Sequence, residues 1–442
     1  MPKYLKEVII TLVVVFSRLP FIFNSLGSDL DAWREVYTGK VWHEEHIYNV
    51  SRFPGYPFSE FIYSLIYDCP YWCINLLSVL FTVGCCLFFF RILEFFKIKL
   101  SFLISLVLSF TPIIYINSTV AMEYNWSLFF LLASVYSILN KKLWAASIFF
   151  GLIVSTRFNN IIFLPAFLFL TYCYIGKDIK KILQFSILSI LFTFIFFLPV
   201  ILKYGTHFLQ SSGASEVSYP TLVSLGTLHV YGTLGILAIF LALVIQLFKG
   251  SFQKVKNLYR DHFMLFCIIM ILSNLIFFLK YPLEAGYLIP SVPFLLILLQ
   301  NVLEPKLMKI VLYGFLISPF FIHINTNKVN LKGIVFVNEG YEDQELEYCQ
   351  NLIKKIETLS NNTPGIFHVG NFSEQILLMG NFSKNNTINI VKNLTQKDKE
   401  DIVSKKRPLY YINTVDGKIE NDKNHMLKQH GILFYKDFEL VK

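Results

Sequence analysis

Apolar runs separated by short polar connections fill roughly the first three-quarters of the chain. A helix needs about 20 mostly apolar residues to cross a hydrocarbon layer. About eleven stretches fit that pattern: 8–26, 70–93, 100–116, 124–140, 142–156, 159–175, 182–202, 227–248, 262–279, 284–301 and 307–323. After His323 the texture changes to charged and Asn-rich, with short apolar runs GIVFV, GIFHV, TINIV, PLYYI and ILFY. Between them lie segments such as EDQELEYCQNLIKKIETL with helical character. The pattern predicts an α-helical polytopic membrane domain over 1–325, with a long first external loop at 28–60, followed by a small, largely parallel α/β domain over 326–442. That second domain has no glycine-rich phosphate loop and no nucleophile elbow, so support or substrate docking is the role it suggests.

Composition agrees with a lipid environment: 55% of residues are hydrophobic, 17% aromatic and 16% charged, and the 45 Phe residues exceed what a soluble core could hide. The net charge of +9 does not point to nucleic acid, because the basic residues are dispersed at helix ends. Seven Cys lie mostly inside apolar runs without metal-ligand spacing and read as small core hydrophobes. The N-terminus, MPKYLKEV, resembles the start of a signal peptide, but Arg18, Pro20 and bulky Phe residues stand where small cleavage-site residues would be, so a retained first span is expected.

Lys and Arg set orientation. With the N-terminus inside, the inner connections carry sixteen Lys and Arg residues, against six outside: Arg34, Lys40, Arg52, Arg157, Lys203 and Lys280. This bias predicts a cytoplasmic N-terminus in a cell membrane, with an extracytoplasmic C-terminal domain. It also gathers GSDLDAW (27–33), SRFPGYPFSE (51–60), Glu123, Arg157, the Ser/Gly-rich loop at 204–226 and YPLEAGY (281–287) on one external face.

On these residues the chain resembles the GT-C superfamily of membrane glycosyltransferases, among them the protein O-mannosyltransferase and aminoarabinose transferase-like enzymes. Members carry an acidic motif in the first external loop, and GSDLDAW stands in that place. SRFPGYP is similar to the family's Pro-Pro-Gly-Tyr-Pro stretch, VAMEYNWSLFF to the segment with a second acidic residue, STRFNNIIFLP to an Arg-containing turn, and YPLEAGYLIPSVPF to a Glu-x-x-Tyr-Leu-x-Pro stretch. The resemblance implies a GT-C-like fold, a polyprenyl-phosphate-sugar donor and a glycan, lipid or protein acceptor at the external surface. It implies inverting transfer, in which a carboxylate takes a proton from the acceptor hydroxyl.

Asp31, Asp29 and Glu123 are then the candidate catalytic carboxylates. The register favours Asp29 by one motif and Asp31 by another, and we place the base at Asp31. Arg34, Arg52, Tyr56, Arg157, Glu284 and Tyr287 are candidates for binding the donor, arginine because its fork matches phosphate. Arg157 is the most telling, since an Arg at mid-membrane costs about 2.5 to 3.5 kcal/mol and less near the interface. Some relatives hold a divalent ion with first-loop carboxylates and others need none, which leaves open a Mg or Mn ion at Asp31 and Glu123.

Simpler readings compete. Asp29 or Asp31 could cap the helix that DAWREVYTGKVW forms, although a cap needs one carboxylate and leaves the other unexplained. Glu123 could be a solvated loop residue, Arg157 could snorkel, and Glu284 and Tyr287 could belong to a proline-shaped helix entry. HEEH (43–46) reads as solvated surface rather than a metal site, and the sequons at Asn371 and Asn393 as chance in an Asn-rich chain. A transporter or flippase of a lipid-linked glycan is the rival function. It would place polar or broken helices at the midplane rather than polar residues on one face. A non-catalytic membrane scaffold would leave the one-sided clustering unexplained.

Overall fold

Apolar runs become helices wherever lipid would leave the backbone no other partner. The computed structural model describes residues 2–209, 217–249, 260–325, 328–360, 365–380, 382, 388–415, 430–437 and 439–440. Among them, five helical segments are long and apolar enough to cross a membrane: Tyr71–Phe95, Ile179–Tyr204, Leu228–Phe248, His262–Lys280 and Ala285–Val302. Shorter apolar helices lie at Ser101–Phe110, Tyr124–Leu139, Leu143–Thr156 and Phe158–Tyr174. The expected stretch 100–116 is divided, because Pro112 opens a separate short helix, Pro112–Ile116. Part of the 204–226 loop, at 210–216, lies outside the described residues, as does Thr387 of TINIV.

Two expectations are corrected. The stretch 307–323 is not helical to its end: helix Pro305–Ile317 stops, and Phe321–Asn325 (β1) pairs antiparallel with Lys328–Lys332 (β2). The run GIVFV is not a strand, since Ile334 opens a 27-residue helix, Ile334–Ser360, that includes the predicted EDQELEYCQ segment. Its β-branched residues suggested a strand, but Val335 packs with Phe110 and Tyr115 in an apolar cluster, and that packing overrides local preference.

The chain divides into two compact units, Met1–Leu26 with Thr38–Gly340, and Gly27–Tyr37 with Tyr341–Lys442. Buried polar side chains stitch the first unit. Asn125 donates to Thr82 Oγ1 (2.9 Å) and to the Ile114 carbonyl (3.0 Å), and Asn75 to the carbonyls of Ile22 (3.0 Å) and Ser25 (2.7 Å). Such bonds contribute about 0.6 kcal/mol each on average in lipid, so several are needed to fix the helices. Arg18, at the end of helix Lys3–Arg18, is fully buried. It donates to Ser118 Oγ (3.1 Å), Ser17 Oγ (2.7 Å) and the Ser109 carbonyl, with its guanidinium 4.0 Å from the Tyr115 ring centre.

The second unit is built on a five-stranded sheet. Gly365–His368 (β3), Ile388–Val391 (β4), Leu409–Tyr411 (β5) and Phe434–Lys436 (β6) run parallel, and Glu439–Leu440 (β7) closes one edge antiparallel, in the order β4-β3-β5-β6-β7. Parallel neighbours require crossover connections. Helix Ser373–Met379 links β3 to β4, and helix Gln396–Lys405, opened by a Thr395/Asp398 capping box, links β4 to β5. The core holds Ile356, Ile366, Phe367, Ile376, Ile402, Leu409 and Tyr411. The connection after β3 runs to β4 and that after β5 runs the other way to β6, so the topological switch point of the sheet lies at the carboxyl ends of β3 and β5.

Candidate active site

In the first unit, the loop before helix Pro57–Ile66 is shaped by one carboxylate, Glu60, which is fully buried. Tyr48 Oη donates to Glu60 Oε2 (2.5 Å), Ser51 N to Oε1 (2.7 Å) and Tyr56 N to Oε2 (3.3 Å). Collecting three donors on one side chain folds SRFPGYP back on itself and gives its orphan amides partners. Gly55 supports the turn with φ +100°, a conformation that L side chains rarely adopt. Val50 N donates to Tyr204 Oη (3.3 Å), tying the loop to helix Ile179–Tyr204. Arg52 and Tyr56 are thereby placed.

Glu123 precedes helix Tyr124–Leu139 but makes no side-chain capping bond there. Its carboxylate, fully buried at the positive end of that helix, instead takes two arginines on one oxygen. Arg52 Nη2 donates to Glu123 Oε1 at 3.1 Å, and Arg157 Nη1 donates to the same oxygen. Arg157 stands where helix Leu143–Thr156 breaks into extended backbone (φ −149°, ψ 100°) before the short helix Phe158–Phe163. It is only 3% exposed. Its guanidinium lies 3.7 Å from the Tyr124 ring centre, 5.2 Å from Tyr287 and 5.5 Å from Tyr56, while Arg52 lies 4.2 Å over Tyr56. Ring faces replace water around these cations.

Two cations and one anion give this triplet a net charge of +1. Arg157 Nε and Tyr124 Oη are buried and lack a hydrogen-bond partner among the described atoms. Beside them a cavity of about 320 Å³ runs along Phe53, Pro54, Tyr56, Arg157, Ile161, Leu283 and Tyr287. It has a cationic, aromatic end and apolar walls, the profile of an amphiphile with an anionic head. Glu284 precedes the short helix Ala285–Ser291, and its carboxylate acts electrostatically on Tyr287.

In the second unit, Asp29 accepts from Asp31 N (2.9 Å) ahead of helix Leu30–Glu45, the geometry of a helix cap. Asp31, in the first turn, is 9% exposed and pairs with Arg34 Nη1 at 2.7 Å. Trp33, fully buried, donates to the Gly27 carbonyl (3.0 Å), which closes the acidic stretch upon itself. Burial pushes the Glu345 carboxyl up to about 7; nearby Asp29 adds to this, while a hydrogen bond with Gln375 opposes it.

The structure therefore brings Arg52, Tyr56, Glu123, Arg157 and Tyr287 together in the first unit, and Asp29, Asp31 and Arg34 together in the second. Sequence reasoning missed Tyr124, hidden as the first residue of an apolar helix, although its place next to Glu123 could have signalled it. It also missed Glu60, whose signal was an acidic residue directly after a Pro/Gly/Tyr loop. His43 to His46 are exposed, as expected. A Mg or Mn ion fits poorly on the surroundings of Glu123 and Asp31, since each carboxylate is engaged by guanidinium groups that repel a dication. Among the described residues no group of three or more His, Cys, Asp or Glu side chains could hold a metal.

No family model matches the chain, and no curated protein matches it. Among solved structures, its fold is similar to the crystal structure of ArnT from Cupriavidus metallidurans bound to undecaprenyl phosphate. The TM-score is 0.55 at 13% identity, covering 96% of this chain and 88% of that one. At this identity the likeness is one of fold alone, and with the long apolar helices it is the fold of a multi-pass membrane protein.

Proposed function

We propose that this chain is an inverting glycosyltransferase that moves a sugar from a polyprenyl-phosphate donor to an extracytoplasmic acceptor. The observation that carries the proposal is the Arg52–Glu123–Arg157 triplet among three tyrosines, at the cationic end of a cavity with apolar walls. A lipid phosphate matches that cavity in charge, hydrogen-bond donors and greasiness. The similar ArnT structure contains undecaprenyl phosphate, which supports the same class of donor here.

In this scheme the acceptor hydroxyl attacks the anomeric carbon, the bond from that carbon to phosphate oxygen breaks, and the proton passes to Asp31. Arg157 and Arg52 stabilise the charge that grows on the departing phosphate, through donors fixed before the reaction begins. Glu123 holds both arginines in place and limits their mutual repulsion. Asp29 supports Asp31 by capping its helix. The N-terminus lies in the cytoplasm, eleven spans cross the membrane, and the C-terminal domain lies outside.

The test is a transfer assay on the full chain in proteoliposomes, using labelled undecaprenyl-phosphate-linked hexoses and pentoses with membrane extract as acceptor. Wild type should release undecaprenyl phosphate and label the acceptor, and Asp31→Asn should abolish both. Full activity in both Asp31→Asn and Asp29→Asn ends the assignment. Label that crosses the bilayer without a new glycosidic bond identifies a flippase instead.

A further inference from the structure

We propose that the C-terminal α/β unit positions the catalytic stretch: Asn371 and Glu374 orient Arg34, and Arg34 in turn fixes Asp31. This rests on the function proposed above. A salt bridge between residues three apart on a helix is weak by itself, because both side chains stay mobile and water competes. Arg34 is held further. Its Nη1 pairs with Asp31 Oδ1 at 2.7 Å, Nη2 donates to Asn371 Oδ1 at 3.1 Å, and Nε lies 4.0 Å from Glu374 Oε1. Glu374 is fixed in turn by Lys392 Nζ at 2.8 Å and Ser373 Oγ at 2.7 Å. A planar guanidinium with two hydrogen-bonded partners and a third carboxylate at ion-pair distance has little freedom left, and Asp31 shares that restriction.

The placement of these residues gives the argument its second support. Asn371 and Glu374 follow the carboxyl end of β3, in the short helices Gly370–Phe372 and Ser373–Met379, at the β3/β5 switch point. Open α/β sheets usually hold their ligand at such a point. Here the side chain that reaches Asn371 and Glu374 belongs to the 27–37 stretch of the same unit. The domain thus treats the acidic stretch as its ligand, and Asn371 serves as a hydrogen-bond acceptor rather than only as part of a sequon.

The experiment compares wild type, Asn371→Ala, Glu374→Gln and Asn371→Asp, each as full chain in proteoliposomes. Asn371 is exposed, so its substitution leaves the core packing intact. Asn371→Ala should lower kcat for transfer by about tenfold or more with KM for the donor nearly unchanged, because orientation rather than binding is lost. Glu374→Gln should act in the same direction, and Asn371→Asp, which still accepts from Arg34, should recover most of the loss. Hydrogen exchange gives a readout independent of activity: amides at 28–36 should exchange about tenfold faster in Asn371→Ala, while those of β3 stay as in wild type. If wild type transfers sugar and both kcat and exchange are unchanged in the variants, the positioning role is overturned. If wild type transfers nothing, the proposed function fails, and the exchange data alone decide whether Asn371 and Glu374 hold the stretch.

Discussion

Glu123 shares one carboxylate oxygen between the buried Arg157 guanidinium and the partly exposed Arg52 guanidinium, so its removal and that of an arginine should have different consequences. Glu123→Gln leaves two cations facing each other without their counter-charge, and breaking a buried pair in this way costs about 3 to 5 kcal/mol. It should lower the melting temperature and yield of the purified protein. Arg157→Lys keeps the charge but loses the fork and its stacking on Tyr124, so kcat/KM for a polyprenyl-phosphate sugar should fall about 10²-fold with a smaller loss of stability. Measuring melting and transfer on both variants separates the roles. At Glu345 the prediction concerns pH. Its folded-state carboxyl titrates at about 7 against a usual 4.5, so the folded form holds a proton that the unfolded chain releases. Stability of the second unit should therefore be greatest, with respect to this group, below about 4.5, and fall as pH rises through about 7. The neighbours are Asp29, which raises the value, Gln375, which opposes the rise, and the buried Cys349. Hydrogen exchange of β3 and β5 at pH 5.5 and 8 should show this loss in wild type and a flatter response in Glu345→Gln.

Between elements, a tight requirement lies at Gly39. A methyl group there would sit 2.7 Å from the backbone nitrogen of Ser64 and the backbone carbon of Tyr63, in helix Pro57–Ile66. No side-chain adjustment relieves a clash with backbone, so Gly39→Ala should push that helix aside at about 1 to 3 kcal/mol. Because the same helix carries Glu60, the loop with Arg52 and Tyr56 should move as well. Lower melting temperature together with reduced transfer is the expected outcome. Gly176→Ala, where nothing lies within 4 Å of the added carbon, is the control. This scale also shows what a sequence can and cannot display. Arg157 and Glu123 were visible because a charge at the end of an apolar run needs a reason in lipid. Tyr56 and Tyr287 were visible through motifs. GIVFV misled, because a β-branched run reads as strand until Val335 is seen packing against Phe110 and Tyr115. The contact between Arg34 and Asn371 was not legible at all, since 337 residues separate the partners and neither carries a local pattern that names the other.

For the molecule as a whole, the division into units does not follow chain order. The stretch Gly27–Tyr37 is grouped with Tyr341–Lys442, and everything from Thr38 to Gly340 is made in between. A ribosome adding about 5 to 20 residues per second needs roughly 15 to 60 s to cover that interval. Throughout it, Arg34 has been synthesised but Asn371 and Glu374 have not. Chains that stop short of residue 371 can insert their apolar helices, but they lack both partners of the Arg34 guanidinium. On the function proposed above, transfer therefore waits for translation to pass Glu374.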